Sequence, residues 1–276
     1  MNSLITVLKE QLKSFYLVKR LSVYEMKSAN SNNYIGVLWE IINPMIQISI
    51  FWFVFGYGVL RTNGRGDIEL YGQIIPYFPW MLSGIVVWFF INQSIIQGSQ
   101  SVYSRINMMS KMSFPMSTIP TFVTVAKLYQ HLMLLVVVLL IFQIIGYPIN
   151  IYYLQLPYFI FATLVFLVSF SLITSTISTL IRDVHNLIQA VVRLLIFLLP
   201  ILWPPYKIEP QIIQTILKLN PIYYLVEGYR ASILGLKWYP VEHLSFTIYF
   251  WIITLVLLLI GSSLHVKFRS KFVDYL

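Results

Sequence analysis

Residues 132–142 read LMLLVVVLLIF, an uninterrupted apolar run that decides the fold class. The run lies inside a longer apolar stretch, 122–146, which is long enough to cross the hydrocarbon core of a bilayer as a helix. Five further stretches share this character and lie at 37–60, 78–100, 158–181, 184–203 and 243–264. We therefore predict an all-α membrane protein with six transmembrane helices.

The composition also indicates a chain that lies mostly in lipid. Of its 276 residues, 58% are hydrophobic and 11% are charged, whereas soluble domains carry about 25% charged residues. We interpret the net charge of +9 as favouring contact with anionic lipid headgroups rather than with nucleic acid. The chain has no cysteine and no GxxxxGK[ST] phosphate-binding loop. We therefore expect neither thiol chemistry, nor intrinsic ATPase activity, nor a cofactor in this chain.

Positive charge is unevenly divided between the two ends of the predicted spans. Twelve of the 19 lysines and arginines fall on the side that holds both termini, six fall on the other side, and Arg193 lies within a span. Because cytosolic loops carry the excess of Lys and Arg, we predict cytosolic N- and C-termini. The glycine-rich residues 61–70 then form an outer loop.

The N-terminal region has the pattern of an amphipathic helix at 3–18. Leu4, Leu8, Leu12 and Phe15 recur at helical spacing, while Lys and Glu occupy the rest of the wheel. We expect this helix to lie in the plane of the lipid headgroups. The chain is predicted to be a single domain, 1–276, made of a cytosolic interfacial region, a six-span bundle and a cytosolic tail at 1–36, 37–264 and 265–276.

The segment 205–242, between the fifth and sixth spans, carries two apolar periodic stretches separated by Asn220-Pro221. Each would form a helix of roughly 20 Å, which is too short for a hydrocarbon core of about 30 Å. We interpret them as a re-entrant helical hairpin that enters from outside, because a further full crossing would place the basic tail outside. Glu227 and Arg230 are three residues apart on it, and they either pair to brace the hairpin or contact a passing substrate.

Residues 105–117, RINMMSKMSFPMS, are the candidate docking element for another protein. Methionines suit a surface that must repack, and the flanking charges would border it. The alternative is an ordinary loop helix lying on the membrane. The residues that would make the contact are Arg105, Met108, Met109, Lys111, Met112 and Phe114.

Few other residues suggest a catalytic, metal-binding or substrate-binding role. Glu40 and Arg193 are ionisable groups at or within spans, so they form a pair or Arg193 reaches out to the headgroups. Pro44 and Pro200 can kink the first and fifth spans. The four histidines have no partner at helical spacing, so we expect no metal site and interpret them as polar residues at headgroup level.

Several stretches together resemble the type-2 ABC exporter permeases for cell-surface polysaccharides. They are YIGVLWEIINPMIQI at 34–48, KMSFPMSTIP at 111–120, LIRDVHNLIQAVVRLLIFLLPILWP at 180–204 and NPIYYLVEGYR at 220–230. The order of elements also matches over essentially the whole chain. WFFINQSI at 88–95 and RSKFVDYL at 269–276 make the chain most similar to the permeases that export wall teichoic acid.

This resemblance implies a homodimer in the bacterial plasma membrane, bound to two cytosolic ATPase subunits that carry the ATP and Mg. The substrate would be an anionic polymer on an undecaprenyl diphosphate carrier, entering through a lateral opening near the first and fifth spans. Arg182 and Asp183 would lie near the docking element. Aromatic rings can slide past a polyol chain, and the residues expected along the path or its gate are Tyr34, Trp39, Glu40, Phe51, Trp52, Phe55, Arg193 and Trp203. For each ring, simple packing or a place in an interfacial belt is the alternative.

Other functions stay open on the sequence. The substrate could be another lipid-linked polysaccharide such as O-antigen or capsule, a drug or a glycolipid. A membrane-embedded transferase for polyprenyl carriers would need clustered acids or histidines, whereas the ten acids of this chain are scattered. A proton-coupled transporter would need several deep carboxylates, and a pure scaffold explains the hairpin poorly. Co-purification of an ATPase would separate an exporter from these three classes.

Overall fold

The computed structural model describes residues 2–60, 67–105, 115–204 and 211–275. Within these residues the regular secondary structure is helical apart from one short β-hairpin. The helices are α1 (Asn2–Lys13), α2 (Phe15–Ser28), α3 (Trp39–Phe51), α4 (Tyr77–Gln100), α5 (Ile119–Ile144), α6 (Leu156–Leu180), α7 (Asp183–Leu198), α8 (Gln211–Lys218), α9 (Pro221–Ile233), α10 (Tyr239–Glu242) and α11 (Leu244–Phe268). A π-helix, Trp52–Leu60, continues α3, and 3-10 turns lie at Gly36–Leu38, Met116–Thr118, Ile151–Gln155 and Arg269–Tyr275.

Among the described residues, five helical segments are long and apolar enough to cross a membrane. They are Gly36–Gly56, Tyr77–Gln100, Met116–Ile144, Ile151–Leu180 and Leu244–Phe272. The remaining predicted span, 184–203, corresponds to α7, which has 16 residues and so measures about 24 Å. The helix ends there because Pro200 lacks the N–H that would continue it. The structure thus confirms a helical, multi-pass membrane protein, while the sixth crossing stays a prediction.

The N-terminal region forms two helices rather than the one predicted at 3–18. The backbone leaves helical geometry at Ser14, which separates α1 from α2. Val18 and Ser22 of α2 are buried, and the Ser22 hydroxyl donates to the carbonyl of Phe122 at the start of α5 over 2.9 Å. The second helix therefore packs against the bundle, and its placement at the headgroups stays a prediction.

Part of the predicted outer loop is ordered as a β-hairpin. Strands β1 (Asp67–Leu70) and β2 (Gln73–Pro76) pair antiparallel with Ile68 opposite Ile75. Tyr71 and Gly72 form the turn with φ of 51° and 75°, the geometry of a type I′ hairpin. A tyrosine is unusual there, because positive φ disfavours side chains. Residues 61–66 of the predicted loop lie outside the described part of the chain.

The core of the molecule is built around α4, nearly all of which is buried between α5, α6, α7 and α9. Glycine allows the closest of these approaches. A Cβ added to Gly98 would lie 2.2 Å from the Ser171 hydroxyl of α6, so α4 and α6 meet at a separation that only glycine permits. In contrast α3 buries only Pro44 and Ile48. The first span is therefore the one least held by the rest of the chain.

The two short helices predicted in 205–242 are present as α8 and α9. Pro221 opens α9, and the Asn220 side chain caps it by accepting from the Ile222 N–H over 2.9 Å. Every residue of α9 from Ile222 to Ile233 is buried, mainly against α4 and α6. The helices are thus confirmed, and their entry into the membrane from outside stays a prediction. Residues 205–210 lie outside the described part.

Candidate functional site

A buried ion pair lies on α9, beside the first turn of α4. Arg230 and Glu227, both on α9, form a salt bridge with relative exposures of 0% and 4%. The Arg230 Nε donates to the Trp80 carbonyl over 3.2 Å, and its Nη2 donates to the Pro200 carbonyl over 2.9 Å. Its guanidinium carbon also lies 3.9 Å from the centre of a Trp80 ring. All three guanidinium nitrogens therefore donate a hydrogen bond, to Glu227 and to two backbone carbonyls, and the buried charge is well satisfied.

The pair connects α9 with two neighbouring elements, and whether it also contacts a substrate stays a prediction. Arg230 ties α9 to α4 through Trp80 and to the end of α7 through Pro200. Space for the guanidinium exists because residue 84 is glycine, whose added Cβ would lie 2.6 Å from the Arg230 Nη2. Neither charge is exposed. The pair therefore links α9, α4 and the residues that follow α7 inside the protein.

A small polar pocket lies between α3, α4 and α5. Glu40 of α3 and Lys127 of α5 are its charged members, and the Asn30 side chain donates to the Glu40 carboxylate over 2.6 Å. The pocket also contains Gln130, whose amide is 4% exposed and has neither its oxygen nor its nitrogen paired among the described residues. The residues around it are Glu40, Pro44, Phe89, Phe90, Gln93, Lys127, Gln130, His131 and Leu134.

The pocket connects to the α9 brace through His131. The His131 Nε2 and the Tyr229 hydroxyl are 3.0 Å apart, and Phe90 stacks on the imidazole with ring centres 4.9 Å apart. His131 is therefore enclosed by protein in the middle of α5 rather than placed at headgroup level. His265 is likewise buried, with its Nδ1 3.1 Å from the Thr176 hydroxyl. Within the described residues, no cluster of three potential metal ligands is found.

The structure does not join Glu40 to Arg193. Arg193 is exposed on α7 and donates to the Gln189 side chain over 3.4 Å. No salt bridge links the two among the described residues, where the Glu40 carboxylate is held by Asn30 and faces Lys127 instead. Among the described residues, the Glu40 carboxylate therefore has an amide partner in Asn30 and no ion-pair partner.

The aromatic residues expected along a path occupy different environments. Tyr34 is fully exposed, and Trp52 is exposed on the π-helix with its ring edge-on to Phe78. The rings of Phe51 and Phe55 are 6.4 Å apart. Trp39 is partly buried at the start of α3, and the indole N–H of Trp203 donates to the Phe197 carbonyl over 2.8 Å. Four of the six therefore lie on the first span.

The predicted docking element is described only at its two ends. Arg105 forms a salt bridge with Glu25 of α2. The Ser117 hydroxyl donates to the Glu10 carboxylate, which also accepts from Arg269 over 2.8 Å. Arg182 and Asp183 are exposed at the start of α7. Met108, Met109, Lys111, Met112 and Phe114 lie outside the described residues.

A further cluster, which the sequence did not suggest, lies beside the turn of the hairpin. The Lys237 ammonium is 3.4 Å from the ring centre of Tyr71 and 2.5 Å from the His243 Nε2. Burial lowers the pKa of Lys237, whereas Glu242 and Glu227 raise it. Burial and the Glu227 charge raise the pKa of the Tyr71 hydroxyl. Tyr71 adopts a positive φ at this contact, a backbone conformation that the sequence does not indicate.

An apolar cavity of about 420 Å³ lies between α7 and the neighbouring helices of the bundle. Its walls come from α4, α6, α7 and α11, and Asn220 and Pro221 reach it from the start of α9. The other residues that line it are Ile95, Phe166, Phe170, Leu187, Ile188, Val191, Val192, Leu195, Ile222, Ile253 and Leu257.

Comparison with known proteins adds a family and relatives. The family model described as "ABC-2 type transporter" matches residues 16–234. An "O-antigen export system permease protein RfbA" of Myxococcus xanthus is 24% identical over 83% of this chain and 84% of its own length. A protein of the same name from Klebsiella pneumoniae is 22% identical over 95% of both chains.

Proposed function

Because the chain belongs to the ABC-2 type transporter family, we propose that it is the membrane subunit of an ATP-driven exporter for a lipid-linked cell-surface polysaccharide. The family match over residues 16–234 carries this proposal. Five apolar membrane-length helices and the absence of a phosphate-binding loop support it, because such a chain needs an engine on another subunit. No catalytic residue in this chain is assigned.

Two cargo classes follow from different observations. The stretches at 88–95, 111–120 and 269–276 favour wall teichoic acid on an undecaprenyl diphosphate carrier. The names of the relatives favour an O-antigen, and this second candidate fits at least as well. Both polymers are hydrophilic chains on a lipid anchor, so both need a path shielded from lipid and a site for the anionic headgroup.

The proposed assembly is a homodimer with two cytosolic ATPase subunits, which carry ATP and Mg. In it the chain crosses the membrane six times with cytosolic termini, and the α8–α9 hairpin enters from outside. The end of α7 supports the sixth crossing, because its non-helical backbone is satisfied by protein. The Tyr77 hydroxyl donates to the Leu202 carbonyl over 2.9 Å, and Arg230 donates to that of Pro200.

The cytosolic face of this assembly would be built around the docking element at 105–117. Glu25 of α2 and Glu10 of α1 bind its two described ends, at Arg105 and Ser117. Arg182 and Asp183 add an exposed charged turn. We infer that these residues face the ATPase, and that the aromatic residues of the first span line the substrate path.

Purification from the native membrane in mild detergent tests the proposal. We expect an ATP-binding subunit in near-equimolar amount, with ATPase activity that rises when lipid-linked polymer is added. Parallel vesicle export assays with teichoic acid and with O-antigen then identify the cargo. Recovery of the chain alone, together with consumption of a polyprenyl phosphate donor, would replace the exporter with a membrane-embedded transferase.

A further inference from the structure

The pocket between α3, α4 and α5 contains a cation that lacks a close counter-ion. Among the described residues, no carboxylate lies within salt-bridge distance of the Lys127 ammonium, although the structure forms three such bridges elsewhere. Glu40 lines the same pocket as Lys127, and its carboxylate accepts from the Asn30 side chain. A partly buried ammonium without a bonded counter-ion is costly in free energy, so it favours binding of an anion.

The pocket also has hydrogen-bonding capacity that the protein leaves unused. Both amide atoms of the buried Gln130 are unpaired, a state that costs free energy and is rare in folded proteins. The Glu40 carbonyl cannot receive its helical bond, because residue 44 is proline. The free volume of about 10 Å³ holds one water molecule at most. A larger ligand therefore requires a wall to move.

The wall that can move is α3. It buries only Pro44 and Ile48, and of these two Pro44 lines the pocket together with residues of α4 and α5. A small outward shift of α3 would carry the Glu40 carboxylate away from Lys127. The space left beside Lys127 and Gln130 would then face an ammonium and an amide N–H₂, both hydrogen-bond donors.

We propose that this pocket binds the phosphate of a lipid headgroup, with Lys127 and Gln130 as donors, once the Glu40 carboxylate has moved away with α3. The inference rests on the proposed function and assigns its headgroup site to α5 rather than to Arg193. An ammonium and an oxyanion attract strongly in a site screened from water. Glu40 repels the same anion, so the two charged residues have opposite effects on binding.

The test uses the permease–ATPase complex in phosphatidylcholine nanodiscs, with undecaprenyl diphosphate as the probe and native mass spectrometry as the readout. We expect Lys127→Met to weaken binding about tenfold or more, because it removes a charge-assisted hydrogen bond. Lys127→Arg should retain binding. Glu40→Gln should tighten it, because the competing charge is lost. Lys19→Met, an exposed lysine of α2, is the matched control and should leave binding unchanged.

The sign of the Glu40→Gln effect decides between a ligand site and a structural contact. If Glu40→Gln and Lys127→Met both weaken binding, or both leave it unchanged, the proposal is overturned. Phosphatidylglycerol and inorganic diphosphate serve as competitors. Displacement of the probe by phosphatidylglycerol would show that the site accepts the phosphate of other anionic lipids, and failure of both competitors to displace the probe would overturn a phosphate site. If the wild-type chain is purified without an ATPase, that result counts against the proposed function and not against the pocket. The binding comparison of Lys127→Met with Glu40→Gln can then be repeated on the permease alone.

Discussion

Replacing Arg230 with methionine should strongly destabilise the fold, because it leaves Glu227 buried without a counter-charge. The change also removes the donors to the Trp80 and Pro200 carbonyls and the contact with the Trp80 ring. Breaking a buried ion pair from one side costs about 3–5 kcal/mol. We take this range as the total, because contacts within one network do not add independently.

The assay is reversible unfolding in mixed micelles, followed by tryptophan fluorescence, with the free energy extrapolated to zero denaturant. The double variant Glu227→Gln/Arg230→Met should recover part of the loss, because no charge then stays buried. Arg193→Met is the matched control and should change the free energy by less than about 0.5 kcal/mol, since Arg193 is exposed. A loss below about 1 kcal/mol for Arg230→Met, or a double variant no more stable than the single one, would refute the reasoning.

Three further outcomes can be checked by the same unfolding measurement. Gly84→Ala should cost about 1–3 kcal/mol, because its Cβ would lie 2.6 Å from the buried guanidinium; an unchanged midpoint would show that the guanidinium can move aside. Glu25→Gln should cost about 1 kcal/mol or less, since it and Arg105 are partly exposed, and a double-mutant cycle with Arg105→Gln should isolate that coupling. Lys237→Met should cost about 1 kcal/mol through the lost contact with Tyr71. In that background Tyr71→Gly should be stabilising, because glycine accepts the positive φ; a further loss there would contradict this account.

The sequence predicted the elements whose signal is local. Long apolar runs gave five membrane-length helices, and Asn220-Pro221 marked the start of α9 through its cap and its fixed φ. The spacing of Glu227 and Arg230 placed them on one face of a helix. These features depend on residues close together in the chain, which is why pattern and propensity sufficed.

Features that depend on distant parts of the chain could not be predicted. Charged residues among glycines at 61–70 predict a loop, and the turn of the hairpin holds Tyr71 where Asn or Gly is usual, so no local signal marks the turn. The favourable contact of Tyr71 comes from Lys237. Lys127 and Gln130 are one helical turn apart on an apolar-looking span, so nothing nearby marked them as part of a polar pocket. Glu40, which completes it, belongs to another helix.

The hydrogen bonds of Arg230 also determine which parts of the molecule can move independently. One guanidinium holds carbonyls of α4 and of the end of α7 while it belongs to α9, so these three elements form a single block. The first span is outside that block and is linked to α4 through the β-hairpin. A shift of the first span relative to α4 would therefore leave the hydrogen bonds of Arg230 intact, whereas a shift of α4 relative to α9 would break them.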